Sequence, residues 1–343
     1  MPESSAGHQV RLEPSGHTFT VGPGETLLEG ALRQNVGLPY GCRNGACGAC
    51  KGLLRSGELR FGEYQERALH DPERAAGKVL TCCTYPVTDL VLEVREVAGA
   101  KDLSIRTLPA RVEKFERPAE DVAVISLKLP TGERLQFLAG QYIDILLKDG
   151  KRRSFSLANA PHDDQFLQLH VRKTPGGAFS TYVFEEMKER SILRFEGPLG
   201  TFYLREDNDK PFLFMAGGTG FAPIKAQIEH LLHKEDDRPI VLYWGVRSQR
   251  DLYTPLPEEW QRDHPNISYI PVLSEPDAGW QGRTGFVHQA VLDDFADLSG
   301  YQVYACGAPG MTDVARQTFV EQRGLPDDEF YCDAFTPSVD PKK

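Results

Sequence analysis

The chain has 343 residues, 40% of them hydrophobic, and a net charge of −10. This length predicts two or three domains that each bury a core, and no apolar run is long enough to suggest membrane insertion. Residues 210–343 carry 20 acidic and 12 basic side chains, which argues against nucleic acid as a partner. Seven cysteines and a polar stretch at residues 1–7 lead us to expect a reducing, cytoplasmic compartment.

The first segment, residues 1–98, has the element order of an α+β, β-grasp domain. Alternating residues at 10–12 and 19–21 flank a Pro-Ser-Gly turn and predict a hairpin. Thr26 is expected to cap a helix over residues 27–32, with Glu29 completing a capping box. Further strands are predicted near 52–54, 79–82 and 90–94.

Four cysteines of this segment have the spacing of a plant-type [2Fe–2S] site. Cys42, Cys47 and Cys50 follow C-x4-C-x2-C, and Cys82 comes well downstream. The residues between the first three are nearly all glycine or alanine, which lets backbone N–H groups reach negatively charged sulfurs. We therefore predict that these four thiolates hold a [2Fe–2S] cluster.

A zinc site and a disulfide framework are the alternatives. Zinc ligands usually come as two short C-x2-C pairs, and disulfide frameworks suit small secreted chains, so both fit less well. Cys83 competes with Cys82 as the fourth ligand. If a strand leads into this point, neighbours face opposite sides, so we choose Cys82 and expect Cys83 to pack as a small hydrophobe.

The middle segment, residues 103–207, is predicted to be an antiparallel β-barrel. Strands are expected at 122–129, 142–147, 154–158, 166–171 and 192–195, with one helix at 179–188 and a turn at 197–200. Basic residues gather at 151–153 and at Arg172, as an anionic cofactor would require.

Two short stretches of the middle segment are candidate cofactor contacts. Arg153 and Phe155 share one face of a strand, so a cation and a ring stand side by side for a phosphate and a flat ring system. Gly176 and Gly177 precede a helix start that contains Ser180, and such starts bind anions. Each stretch is also compatible with an ordinary strand or turn.

The last segment, residues 210–335, alternates strands and helices. Strands at 211–216, 240–244, 267–272 and 303–306 and helices after residue 222 and over 311–323 predict a doubly wound, parallel α/β sheet. Glycine-rich turns at 217–220 and 306–310 follow two of the strands, where such sheets bind ligands. Residues 217–220 lack the Gly-x-Gly-x-x-Gly pattern, so an ordinary strand–helix turn stays possible.

Taken together, these motifs resemble the ferredoxin–NADP reductase superfamily along nearly the whole chain. The order is Arg153-Ser154-Phe155-Ser156, the Gly176 to Ser180 stretch, the 217–220 turn and the turn that begins at Cys306. With the N-terminal segment, the chain resembles iron–sulfur flavoprotein reductases. Stretches such as 138–144, 219–223 and 333–335 are most similar to CDP-6-deoxy-Δ3,4-glucoseen reductases, and reductases of phenol, toluene and methane monooxygenases are also similar.

The resemblance implies a set of FAD-binding residues. Arg153 would bind the flavin phosphates, Phe155 would lie against the isoalloxazine and Ser156 would bond near its N5. The remaining expected flavin contacts are Ser154, His170, Val171, Arg172, Gly176, Gly177 and Ser180. Phe335 would cover the other face of the flavin until nicotinamide displaces it.

The resemblance also implies a nicotinamide-dinucleotide site and an electron route. The contacts expected for this site are Gly217, Gly218, Thr219, Gly220, Cys306 and Gly307. Ser156, Cys306 and Phe335 would be the residues at the point of hydride transfer, and electrons would pass from NAD(P)H to FAD to [2Fe–2S].

The choice between NADH and NADPH and the identity of the acceptor stay open at this stage. Arg247 and Arg250 follow the second strand of the last segment and would suit a 2′-phosphate, although the sugar-pathway relatives use NADH, which we favour. The expected acceptor is a pyridoxamine-phosphate-dependent sugar dehydrase, or alternatively an oxygenase component. A non-catalytic redox sensor is the competing class.

Overall fold

A computed structural model describes residues 7–97 and 103–336. The chain divides into two compact units, with the boundary between Leu103 and Ser104. Within the described residues, no helix combines the length and the apolar character needed to cross a membrane.

The first unit is built on a five-stranded sheet of order β2-β1-β7-β3-β5, with β4 and β6 forming a separate pair. Its strands are β1 His8–Glu13, β2 Thr18–Val21, β3 Lys51–Ser56, β4 Leu59–Phe61, β5 Lys78–Leu80, β6 Thr84–Pro86 and β7 Leu90–Glu93, and its helices are α1 Leu27–Arg33 and α2 Asp71–Ala75. The predicted capping box is confirmed, because Glu29 N–H donates to Thr26 Oγ1 at 3.2 Å and Thr26 N–H donates to the Glu29 carboxylate at 2.8 Å.

The approach to Cys82 differs from the predicted strand over 79–82. Strand β5 ends at Leu80, and Thr81–Cys83 form one turn of 3₁₀ helix. The alternation of a strand therefore cannot decide between Cys82 and Cys83. Cys83 is buried in the core of this unit, and its thiol lies 3.8 Å from the Leu80 carbonyl oxygen.

The second unit begins with an antiparallel barrel of strand order β11-β10-β13-β8-β9-β12. Its elements are β8 Arg106–Ala119, β9 Val122–Lys128, β10 Tyr142–Leu146, β11 Arg152–Ser156, β12 Leu167–Arg172, α3 Ala178–Glu185 and β13 Ile192–Leu199. An antiparallel bridge between Leu157 and Leu169 joins the two edge strands and closes the barrel. The predicted barrel is thus confirmed.

Two features of the barrel were not predicted correctly. The turn expected at 197–200 is wrong, because β13 continues to Leu199 and pairs Gly197 with Arg106 and Leu199 with Tyr142. The 14-residue strand β8 was missed, although Leu108, Ala110 and Val112 alternate as buried residues. Pro109 lies inside this strand, and proline normally argues against a strand with neighbours on both sides.

The remainder of the second unit is a six-stranded parallel sheet of order β17-β16-β15-β14-β18-β19. Its elements are β14 Phe212–Gly217, α4 Phe221–His233, β15 Ile240–Val246, α5 Leu256–Asp263, β16 Ile267–Leu273, β17 Arg283–Thr284, α6 Val287–Asp294, β18 Gln302–Gly307, α7 Pro309–Arg323 and β19 Phe330–Ala334. All neighbours are parallel, so the loops after β14, β15, β16 and β18 lie at one edge. The predicted doubly wound sheet is confirmed.

Candidate functional site

The first unit brings the thiols of Cys42, Cys47, Cys50 and Cys82 close to one another. Cys42 adjoins Cys47 and Cys50 adjoins Cys82, while the Cys83 thiol also adjoins that of Cys82. The N–H groups of Ala46 and Cys47 each donate to the Cys42 sulfur at 3.3 Å, and the Cys42 N–H donates to the Cys47 sulfur at 3.4 Å. The loop thus directs its backbone at the sulfurs, as the run of small residues predicts.

The pairing of the thiols is relevant to the zinc alternative. Across residues 7–97 and 103–336, no group of three or more His, Cys, Asp or Glu side chains is placed to hold a metal ion. A zinc site needs four ligands around one ion, whereas a binuclear cluster needs two thiolates on each of two irons. The adjacency of Cys42 to Cys47 and of Cys50 to Cys82 is compatible with two thiolates on each iron.

The electrostatics of the loop favour thiolate at its start. The Cys47 thiol lowers the pKa of Cys42 to about 6, with help from the amides of Asn44, Ala46 and Cys47 and against the effect of burial. Thiolate is the ligating form of cysteine. The same N–H groups can stabilise charge on cluster sulfurs.

In the second unit, β11 presents Arg153 and Phe155 on one face next to the start of α3. The Phe155 ring lies 5.0 Å from the Phe179 ring of that helix. Gly177 is the N-cap of α3 and supplies no side-chain cap, and a Cβ on Gly176, whose φ is +73°, would meet open space. The first N–H groups of α3 are therefore placed to receive an anion.

Residues from β11, from β18 and from the end of β19 converge where the barrel meets the parallel sheet. Ser156 Oγ at the end of β11 lies 3.3 Å from Asp333 Oδ2 on β19. Asp333 pairs with Cys306 on β18, and the Phe335 N–H donates to the Gly307 carbonyl oxygen at 2.8 Å. The three residues predicted for the point of hydride transfer, Ser156, Cys306 and Phe335, are thus brought together.

Asp333 is a member of this group that the sequence interpretation did not assign. It begins the Asp-Ala-Phe stretch at 333–335, in which only Phe335 was given a role. Its position two residues before Phe335 is the one feature of the sequence that could have indicated a role for it. A carboxylate becomes recognisable as a site residue only when β19 is seen to pair with β18.

The two glycine-rich turns of the sheet contact each other closely. A Cβ on Gly220 would lie 2.2 Å from the Cys306 carbonyl oxygen, so no other residue fits there without movement. The turn over Gly218–Gly220 leads directly into α4, and no side chain caps that helix. The turn therefore delivers open N–H groups at the carboxyl edge of the sheet, where dinucleotides bind.

Comparison with known families agrees with each part of this geometry. Residues 10–87 match the 2Fe-2S iron-sulfur cluster binding domain. Residues 109–203 match the oxidoreductase FAD-binding domain, and residues 214–317 match the oxidoreductase NAD-binding domain.

Several characterised proteins are similar over almost their entire length. The chain is 45% identical to the CDP-6-deoxy-L-threo-D-glycero-4-hexulose-3-dehydrase reductase of Yersinia pseudotuberculosis, covering 96% of this chain and 98% of the relative. It is 37% identical to the phenol hydroxylase P5 protein of Acinetobacter pittii, covering 97% and 96%. The crystal structure of an Amycolatopsis cytochrome P450 reductase matches with a TM-score of 0.80 at 34% identity, covering 96% and 99%. The chain belongs to the iron–sulfur flavoprotein reductases.

As a member of this family, the reductase is an electron-transfer oxidoreductase with [2Fe–2S], FAD and NAD(P)H domains rather than a non-catalytic sensor. The predicted cofactors and fold class are confirmed. The individual residue assignments stay predictions, which the geometry sharpens in the following ways.

Three of the predicted flavin contacts use their side chains elsewhere. Ser154 Oγ donates to Asp144 at 2.6 Å across the β10–β11 pair. Ser180 Oγ accepts from the Thr174 N–H at 3.1 Å, and Val171 is fully buried in the barrel core. The side chains of Ser154 and Ser180 are thus already engaged within the protein, and that of Val171 lies in the barrel core.

Arg172 in the reductase lies against the nucleotide turn. Its Nη1 would be 2.8 Å from a Cβ on Gly218, whose φ is +54°. Asp121 holds the guanidinium from the barrel side, 3.1 Å from Nε. Arg172 was expected to contact the flavin, but this position adjoins the dinucleotide turn as well.

A buried aromatic group supports the same turn from below. Trp244 Nε1 donates to the Gly218 carbonyl oxygen at 2.9 Å, and the Trp244 ring stacks on Phe221 with centroids 4.3 Å apart. Tyr253 packs edge-on against Trp244, and its hydroxyl lies 2.9 Å from His170 Nδ1 on β12. Strand β12, which carries both His170 and Arg172, is thereby joined to the support of the nucleotide turn.

His170 is neutral in this position. Burial, with a smaller contribution from Lys225, lowers the pKa of His170 to about 3. A neutral imidazole can accept a hydrogen bond from the Tyr253 hydroxyl at Nδ1. The His170 side chain therefore points to the parallel sheet rather than to a flavin ring.

Proposed function

We propose that this reductase takes electrons from NADH and delivers them singly, through its [2Fe–2S] cluster, to a sugar dehydrase. The observation that carries the proposal is the 45% identity over nearly the whole chain to a CDP-6-deoxyhexulose-3-dehydrase reductase. When bound, FAD supplies the conversion between two-electron chemistry at nicotinamide and one-electron chemistry at the cluster.

The proposed FAD site uses both surfaces described for the barrel. Arg153 and the open N–H groups at the start of α3 would hold the phosphates, because both offer positive charge or donors to an anion. Phe155, supported by Phe179, would pack against the flat ring system. Ser156 would donate or accept a hydrogen bond at the reacting edge of the ring.

The proposed dinucleotide site is the edge of the parallel sheet. The turn over Gly218–Gly220 and Arg172 would bind the pyrophosphate, and Cys306, Gly307 and Asp333 would border the nicotinamide. Burial raises the pKa of the Cys306 thiol well above its ordinary value, with Asp333 adding to the effect. Cys306 would therefore stay a neutral thiol and act by positioning the ring rather than by transferring a proton.

In the first unit, Cys42, Cys47, Cys50 and Cys82 would ligate the cluster in two pairs. Arg43 and Asn44 border Cys42, and we propose this loop as the surface that meets the acceptor. The cytoplasmic location expected from the sequence is part of the same proposal, since free thiols persist in a reducing compartment.

Reconstitution with purified acceptors tests the proposal. The holo-reductase and NADH, mixed with a pyridoxamine-phosphate-dependent 3-dehydrase and its CDP-6-deoxyhexulose substrate, should form the deoxygenated sugar. Product should be absent when either protein is left out. Normal cytochrome c reduction without any deoxygenated sugar would refute the sugar-dehydrase partner while leaving the reductase activity intact.

An oxygenase component is the second candidate acceptor. It is favoured by the 37% identity to the phenol hydroxylase P5 protein and by the 34% identity to a cytochrome P450 reductase of known structure. The same reconstitution, carried out with an oxygenase component and its aromatic substrate, would then give the hydroxylated product.

A further inference from the structure

The residues at the tip of β15 bear on whether the protein binds NADH or NADPH. In parallel dinucleotide-binding sheets, the tip of the second strand lies by the adenosine ribose. There a carboxylate binds the 2′-hydroxyl, or an arginine accommodates a 2′-phosphate. β15 is the second strand of this sheet, and it is followed by a 3₁₀ turn over Gln249–Asp251.

Three hydrogen-bond donors of this tip are held by carboxylates. Ser248 donates to Asp251 Oδ2 through both its N–H, at 3.0 Å, and its hydroxyl, at 3.2 Å. The Gln249 N–H donates to Asp277 Oδ2 at 3.3 Å. A 2′-phosphate at this tip would have to displace a carboxylate to reach any of these three donors.

Asp277 is brought to the tip of β15 by the loop that follows β16. The Ser274 N–H donates to the Val246 carbonyl oxygen at 3.0 Å, and the Glu275 N–H donates to the Arg247 carbonyl oxygen at 2.8 Å. The Trp280 N–H closes the loop by donating to the Asp277 carbonyl oxygen at 3.1 Å. Four backbone and side-chain bonds thus fix Asp277 next to the turn from 28 residues away.

We propose that Asp277, with Asp251 as a second carboxylate, makes this reductase select NADH over NADPH. The proposal rests on the proposed dinucleotide site. A ribose 2′-hydroxyl can donate a hydrogen bond to a carboxylate, whereas a 2′-phosphate carries nearly two negative charges and is repelled by it. Arg247 and Arg250 are exposed at the same tip, so the two carboxylates counter the positive charge that would otherwise favour NADPH.

The experiment measures binding without hydride transfer. ADP-ribose and its 2′-phosphorylated form are titrated calorimetrically into the oxidised holo-reductase and its variants. The parent protein should bind ADP-ribose more tightly. D277N keeps an acceptor for the Gln249 N–H but removes the charge, so it should bind the phosphorylated probe about tenfold more tightly, as expected for one charge interaction near the surface.

Two further variants make the result specific. D277A removes the charge and also frees the Gln249 N–H. Its affinity for the phosphorylated probe should therefore rise at least as much as that of D277N. D263N removes a carboxylate at the end of α5, before β16 and so at the opposite edge of the sheet, and should leave both affinities unchanged. The ratio of kcat/KM for NADPH to that for NADH should change in the same order.

Three outcomes would overturn the assignment. The first is tighter binding of the phosphorylated probe by the parent protein. The second is an affinity ratio in D277N and D277A equal to that of the parent. The third is an equal gain in D263N, which would indicate a general charge effect. If the parent bound neither probe, the proposed dinucleotide site itself would fail.

Discussion

The two electron-carrier sites of this reductase are assembled in opposite ways. Three of the four predicted cluster ligands lie within nine residues, and their backbone supplies the N–H groups that reach the sulfurs. The proposed hydride-transfer site joins Ser156 and Asp333, which are 177 positions apart. A contiguous loop can specify its own chemistry through spacing, whereas a site made of strand ends depends on how those strands pair.

The two sites also differ in how they are supported. The cysteine loop is held by hydrogen bonds to its own backbone. The nucleotide turn is held by side chains that come from elsewhere, namely Trp244 beneath Gly218 and Arg172 beside it. Substitutions in the first site should therefore abolish one electron-transfer step, and substitutions around the second should change affinities and rates by degrees.

The largest expected effect is that of Cys47→Ser. Outer-shell changes at metal sites cost about 10- to 100-fold, so loss of a ligand should lower NADH-dependent cytochrome c reduction by at least about 100-fold. Flavin reduction by NADH, followed anaerobically by absorbance, should persist because that site lies in the other unit. Cys83→Ala is the matched control and should keep both activities. Unchanged cytochrome c reduction in Cys47→Ser would contradict the assigned ligand.

The next largest effect is one of pH on the second unit, whose folding equilibrium constant should fall about 30-fold as the pH is lowered to 5. The pKa of His170 is lowered to about 3 in the folded protein and is about 6.5 when unfolded. Below pH 6.5 the unfolded chain takes up the proton more readily, so stability falls as pH decreases from 6.5 towards 3. At pH 5 this loss amounts to about 2 kcal/mol.

His170→Gln removes this titration. In the parent protein, the stability of the second unit against thermal unfolding should fall between pH 7 and pH 5. In the variant, this stability should fall by less. Tyr253, Gln168 and Lys225 are the groups that face the imidazole. Parallel pH profiles for the two proteins would mean that His170 is not the group responsible.

Ser156→Ala should slow flavin reduction about tenfold, the effect of losing one well-placed hydrogen bond in the transition state. Stopped-flow absorbance measures this rate directly. Ser154→Ala is the control on the same strand, since its hydroxyl donates to Asp144 instead. If the two variants reduced at the same rate as the parent, the position of Ser156 at the reacting edge would be refuted.

The same contrast explains how far the sequence could be interpreted. The Thr26 cap follows from a local pattern and is confirmed by the structure, and the order of the three kinds of domain agrees with the family comparisons. Asp333 was missed because its partner Cys306 lies on another strand, and Trp244 was missed because its bond to Gly218 crosses between strands. Strand β8 was missed because it contains Pro109, and only its pairing with β9 and β13 shows that this segment is a strand.

The smallest expected effect is that of Trp244→Phe, which tests whether the nucleotide turn needs support from a distant side chain. The variant keeps an aromatic ring against Phe221 and loses only the donor to the Gly218 carbonyl oxygen. One hydrogen bond is worth about 1 kcal/mol, so the KM for NADH should rise about fivefold. Because the turn would bind ground state and transition state alike, kcat should change little. Tyr243→Phe is the matched control, since it removes a hydroxyl that bonds Asp294 on the other face of the same strand and should leave KM unchanged. An equal KM in the parent and in Trp244→Phe would show that the glycine turn holds its own shape, as the cysteine loop does.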